Sequence, residues 1–127
     1  MSENYNDAAV RHWEDAELLI ENERLENADH HYGFAAECAL KTVLRSLNRF
    51  KEDEHRKHIN VLWNKMQATA FQRHFPGLAR ILSSKNHFED WDVEQRYYAN
   101  KYTTDDAVQA HRNCAKRLLV ASQVYRG

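Results

Sequence analysis

The sequence predicts an all-α fold, a bundle of about five helices within a single domain covering residues 1–127. Two observations carry that expectation. The chain has one proline, Pro76, and three glycines, Gly33, Gly77 and Gly127, too few breakers for the frequent tight turns of an all-β fold. Apolar residues also recur at helical spacing in three long stretches, on a background rich in Ala, Leu, Glu, Arg and Lys. A hydrophobic fraction of 43%, with fourteen aromatic residues, is enough to build a core.

The first helix is predicted from about Asn6 to Leu25, with Ala9, Trp13, Ala16, Leu19 and Ile20 as its apolar stripe. Asn27 and Asp29 are expected to cap a second helix that reaches about Phe50. Its buried face takes Tyr32, Ala36, Ala39, Leu40, Val43, Leu44 and Leu47, and its small residues let the first two helices pack closely as an antiparallel hairpin. The polar run KEDEHRK (51–57) reads as the longest and most mobile connection. A third helix starts near His58 or Ile59 and carries Val61, Leu62, Trp63 and Met66. Phe71 and Phe75 extend its apolar side until Pro76-Gly77 stops it. A fourth helix spans Leu78 to Ser84, and part of Asp90–Ala99 has a weak helical pattern. Thr103-Thr104-Asp105-Asp106 is a capping-box pattern opening the last helix, along which Ala107, Ala110, Cys114, Leu118, Ala121 and Tyr125 share a face.

Composition excludes several function classes. No apolar run approaches the roughly 20 residues of a bilayer span, and MSENYNDAAV lacks the basic start and apolar stretch of a signal peptide, so a cytoplasmic location is expected. Cys38 and Cys114 lie among apolar neighbours and read as packing residues; no CxxC pair is present. Net charge is −1, with a pI near 6.7, which is not the footprint of an avid nucleic-acid binder. Charge is unevenly placed. Residues 1–40 hold ten acids and two Lys/Arg, giving −8, and residues 41–127 hold nine acids and sixteen Lys/Arg, giving +7.

Eight histidines raise the question of a metal. No HExxH occurs, and no carboxylate–histidine set repeats on two helices, so surface or helix-end histidines, no metal and no cofactor are expected. The phosphate loops GxGxxG and GxxxxGK[ST] and the nucleophile elbow GxSxG are absent. Two features carry alternative readings. Glu37, Lys41, Arg45 and Arg49, at successive i+4 positions, form either a solvated face or a basic lip beside a phosphate-binding groove. Arg96-Tyr97-Tyr98-Ala99-Asn100-Lys101-Tyr102 either seals the core with its tyrosines or holds a phosphate and stacks a base.

At these residues the chain resembles the HEPN superfamily. AAECALKTVL (35–44) is similar to that family's A-E-alK-ll signature, and His58-Ile59-Asn60-Val61-Leu62 to its HdLxxL motif. Arg96-Tyr97, the Thr-Thr-Asp-Asp cap and the Ala-rich last helix are similar to its RYP…teeA ending. The resemblance implies an up-and-down bundle that dimerises around a shared groove. Many members are metal-independent endoribonucleases of toxin–antitoxin, antiphage or CRISPR systems, using an arginine and a histidine four to six residues beyond it. Others are binding or adaptor domains, often beside a nucleotidyltransferase partner.

The chain departs from the catalytic pattern after Arg96. No histidine follows; Tyr102 stands near its place, and a phenol with a pKa near 10 is a poor base at neutral pH. Arg80 and His87 have permitted spacing but lie one element early. The expectation is therefore a HEPN-like dimeric module that binds a nucleotide, RNA or partner protein through Arg96, Tyr97, Tyr102, Lys41, Arg45 and His58. The enzyme alternative uses Arg80 with His87, or Arg96 with a histidine such as His58. A third reading is an interaction protein without a ligand.

Overall fold

The computed structural model describes residues 4–92 and 103–124. Among them the chain forms six helices and no strand: α1 (Tyr5–Glu21), α2 (Leu25–Ser46), α3 (Glu52–His55), α4 (Ile59–Gln67), α5 (Pro76–Leu82) and α6 (Asp105–Ala121). Asn4 starts α1, its side-chain oxygen accepting from the amide of Asp7 at 3.0 Å. Thr104 starts α6 in the same way, accepting from Ala107 N–H at 3.1 Å. The residue three beyond that cap is an alanine, so only half of the expected capping box forms.

α2 is the axis of the bundle. It packs along α1 on one side and α6 on another, with α4 also against it. Fourteen of its 22 residues are buried, which requires apolar or small residues on nearly every face. α1 contributes Ala9, Trp13 and Ala16, and α6 contributes Val108, Cys114, Ala115, Leu118 and Leu119. Trp63, Trp91, Tyr32 and Phe88 are the largest fully buried side chains. A polar clamp crosses three helices: Arg112 on α6 donates to both oxygens of Glu17 on α1, at 2.7 and 3.1 Å. Tyr32 on α2 donates its hydroxyl to the same carboxylate at 2.6 Å. The Arg112 hydrogen bond, with help from Tyr32, holds the Glu17 carboxyl below its usual range.

Several sequence expectations are corrected. A short helix, α3, occupies the KEDEHRK run expected to be a connection. Its acids Glu52, Asp53 and Glu54 suit the positive end of the helix dipole, and buried His55 accepts from Lys51 N–H at 2.9 Å. Burial lowers the His55 pKa, consistent with an acceptor nitrogen. Asn27 and Asp29 do not cap α2, which begins earlier, at Leu25, and runs through both. α4 ends at Gln67, leaving Phe71 and Phe75 in the following connection, and Pro76 opens α5 rather than closing a helix. Proline suits that first position, where its missing N–H has no helical partner to lose. The buried stripe of α6 is rotated from the expected one: Ala110 is exposed, and His111 lies in the core. Asp90–Asp92 are not helical; the remainder of the weak pattern at Asp90–Ala99 lies outside the described residues, as do Arg96, Tyr97, Tyr102 and Tyr125.

The scarcity of glycine is met by strained non-glycine ends. Glu23, Asn48 and Gln123 follow α1, α2 and α6 with φ of 60°, 56° and 62°. In each case the next amide turns back to a carbonyl five residues earlier: Arg24 to Leu19, Arg49 to Leu44 and Val124 to Leu119, at 2.9, 2.7 and 3.0 Å. Side chains in this left-handed region cost roughly 1–2 kcal/mol. Glu23→Gly is therefore expected to raise unfolding stability by about 0.5–1 kcal/mol, read as a higher urea midpoint with an unchanged slope.

Candidate functional site

Phe34, half-buried on α2, is the centre of a ring cluster that three other elements complete. His30 meets it edge-on from the preceding turn at 4.5 Å between ring centroids, and His12 approaches from α1 at 5.3 Å. His58, at the N-cap of α4, lies 6.0 Å away, and Trp91, after α5, lies 5.5 Å away. His31 joins through His12, their Nδ1 atoms 2.9 Å apart. At that separation one Nδ1 donates and the other accepts. Burial, followed by the charges of His31 and Arg11, lowers the His12 pKa, so this ring is mainly neutral at pH 7.

Below the rings sits a buried carboxylate. Glu37 accepts from Lys41 Nζ through Oε2 at 2.9 Å and from His58 Nδ1 through Oε1 at 3.0 Å. The Glu37 and Lys41 side chains are 9% and 7% exposed, while that of His58 is 47% exposed. Because Glu37 takes the Nδ1 proton, the neutral tautomer of His58 presents its Nε2 lone pair. The pairing also answers the question of the basic lip. Lys41 is internal, and Arg45 lies 4.8 Å from the Tyr5 and Phe50 ring centres and 3.9 Å from a Glu52 oxygen. Glu37 and Lys41 are thus neither a solvated face nor a phosphate lip; they form a buried pair whose carboxylate orients a histidine.

Trp91 is fixed by close packing against α2. Its indole stacks on His30 at 5.4 Å and donates Nε1–H to the Asp29 carbonyl at 3.1 Å. A Cβ on Gly33 would lie 2.1 Å from Trp91 Cε2, so only glycine admits the ring. Next to it, His111 on α6 is held between two carboxylates, Nδ1 to Asp29 at 2.6 Å and Nε2 to Asp90 at 2.8 Å. Its ring stacks on Phe88 at 4.9 Å. Two carboxylate acceptors require both nitrogens to donate, which is the imidazolium form. Burial opposes that charge, but the hydrogen bonds and charges of Asp29 and Asp90 outweigh it and raise the pKa. The expectation of surface or helix-end histidines is corrected for His30 and His111, which are buried within α2 and α6 facing a ring or a polar partner; His55 does end a helix, α3, but is buried there.

The other candidates are dispersed. Arg80 is exposed on α5 beside Lys116 and Arg117 of α6, whereas the His87 ring meets Trp63 edge-on at 5.8 Å. No hydrogen bond, ion pair or ring contact among the described residues joins Arg80 to His87. Cys38 and Cys114 are both buried and free, and burial pushes each thiol up to about 12, leaving both protonated at neutral pH. Among the described residues no group of three or more His, Cys, Asp or Glu is placed to hold a metal ion. Among them, too, no helix is long and apolar enough to cross a membrane.

Sequence reasoning missed His12, His31 and Phe34. Their signal was available in the helical register: His30, Phe34, Glu37 and Lys41 share one face of α2, with His31 beside it. Comparison of the chain with family models, curated proteins and solved structures yields no match.

Two outcomes test this geometry. Gly33→Ala is expected to displace Trp91 and to cost about 1–3 kcal/mol in denaturant unfolding, with loss of near-ultraviolet dichroism. His111→Leu is expected to cost about 3 kcal/mol by leaving the Asp29 carboxylate buried beside an apolar group. The sign of the pH dependence follows from the raised pKa. The charged ring stabilises the fold fully below the unfolded imidazole value of 6.5 and loses that contribution as pH rises through its folded value. The stability gap between wild type and His111→Leu is therefore expected to narrow from pH 6 to pH 9.

Proposed function

We propose that the chain is a HEPN-like binding module that acts as a homodimer and takes single-stranded RNA or a nucleotide on the face around Phe34. The observation that carries this reading is the gathering of His12, His31 and half-exposed His58 around one aromatic ring, with Glu37 behind them. Aromatic and imidazole rings give a base a stacking platform, and imidazole N–H groups donate to phosphate oxygens. Trp91 belongs to the same cluster, and Arg96-Tyr97 follow it in sequence by five and six residues. The all-helical architecture and the 35–44 and 58–62 motifs support the family assignment, and with it a nucleotidyltransferase-type protein as a further partner.

A specific observation favours a second reading, a metal-independent endoribonuclease. The Glu37–His58 pair has the form of an oriented general base: the buried carboxylate fixes Nδ1, and the side chain of His58 is 47% exposed. In that reading His58 removes the ribose 2′-OH proton as the 2′-oxygen attacks the adjacent phosphorus, the P–O5′ bond breaks with the 5′-oxygen taking a proton from water, and Arg96 neutralises the scissile phosphate. His58 then replaces the histidine missing after Arg96.

Fluorescence anisotropy with a labelled uridine oligonucleotide separates the outcomes. Phe34→Ala is expected to weaken binding about 5- to 150-fold, since stacking contributes about 1–3 kcal/mol per base. Unchanged affinity, or no binding by the wild type, would refute the reading. Cleavage of the oligonucleotide in EDTA, lost in His58→Ala while binding persists, would select the nuclease.

A further inference from the structure

The groove between α5 and α6 is unrelated to the ring cluster and has its own chemistry. It encloses about 490 Å³ between Gly77, Arg80 and Ile81 on α5 and Lys116, Arg117 and Val120 on α6. Its floor is apolar, and Val120 is 54% exposed. Gly77 leaves one wall low, with no atom within 4 Å of where a Cβ would stand. Its three cations are exposed, and none makes an ion pair among the described residues. An apolar floor rimmed by exposed cations suits an acidic, apolar-ridged helix.

The chain carries such a helix. On the outer face of α1, Leu18 is 59% exposed and is the most exposed large apolar side chain described. Glu14, Asp15 and Glu21 surround it at i−4, i−3 and i+3, all exposed, with Arg11 one turn beyond Glu14. Leu18 and Val120 are the two most exposed large apolar residues described, and one lies among acids, the other among bases. The charge split along the chain, −8 over residues 1–40 and +7 over residues 41–127, has here a local expression on the surface. A net charge of −1 leaves little long-range repulsion between two copies.

We propose that the outer face of α1 docks into the α5–α6 groove of a second copy, and that the contact is reciprocal. Within one molecule the Glu17–Arg112 pair holds α1 beside α6, so donor and acceptor surfaces belong to neighbouring elements. A two-fold axis then repeats the contact: Leu18 of each copy enters the groove of the other, and Glu14, Asp15 and Glu21 meet Arg80, Lys116 and Arg117. The inference rests on the homodimer of the proposed function and names the surface that forms it.

Charge exchange in the full-length chain tests the docking. Glu21→Lys and Arg117→Glu change exposed residues and leave the core intact. Light scattering at micromolar concentration is expected to give a dimer for the wild type, weakened between about 0.1 M and 1 M salt. Each variant alone is expected to be monomeric, because both of its contacts then oppose like charges. An equimolar mixture is expected to regain the dimer, since one of its two contacts then pairs the exchanged charges and the other keeps the original pairing. A wild-type monomer, dimers that survive in both single variants, or a mixture that stays monomeric would each overturn the docking. Oligonucleotide binding by the monomeric variants is read separately, so loss of this interface is distinguishable from failure of the Phe34 face.

Discussion

The described structure depends on one charged residue held inside the bundle. His111 reaches from α6 to the Asp29 carboxylate on α2, while its second nitrogen takes Asp90 from the connection after α5. The residue after Asp90, Trp91, is thereby brought over Gly33, where its indole bonds the backbone of the same Asp29. Three parts of the chain far apart in sequence, near residues 29, 90 and 111, are tied at one point. A buried charge that loses its partner is strongly destabilising, so this point tolerates little rearrangement. The ring cluster around Phe34 inherits its shape from it, because Trp91 forms one wall.

Two kinds of buried histidine chemistry lie side by side. His111, between two carboxylates, is stabilised as a cation, whereas His12, facing His31 and Arg11 in a partly buried setting, is disfavoured as one. His58 differs from both, half-exposed and oriented by a carboxylate that Lys41 also binds. Each imidazole therefore has its own role, one as a structural cation in the core, one within a pair that resists charging, and one as an oriented ring open to solvent.

The fold was legible wherever apolar periodicity was long. α1, α2 and α6 follow from Ala9–Trp13–Ala16, from the small and aliphatic residues of 35–44, and from the Thr104 cap. α3 was hidden because its four residues are all polar or charged, held by a ring-nitrogen contact and the helix dipole rather than by an apolar stripe. Pro76 was misread because proline both ends and begins helices, and only the backbone on either side decides which. The site was less legible. Asp29, Glu37, Lys41 and His111 look like caps or solvated residues when each is taken alone. Asp29, Glu37 and Lys41 are buried because α2 is covered on nearly every side, which forces its polar residues to find partners within the bundle, and His111 on α6 is the partner that Asp29 finds. Pairings across 21 and 82 residues, such as Glu37–His58 and Asp29–His111, leave no local pattern.

The most direct test is the protonation state of His111 itself. Nitrogen-15 imidazole spectra of the folded chain, followed through a pH titration, report each ring separately. The expected result is a His111 ring protonated on both nitrogens at pH 6, titrating above 6.5, with both N–H protons slow to exchange. A neutral His111 tautomer at pH 6 would contradict the carboxylate clasp and the placement of Trp91 that depends on it.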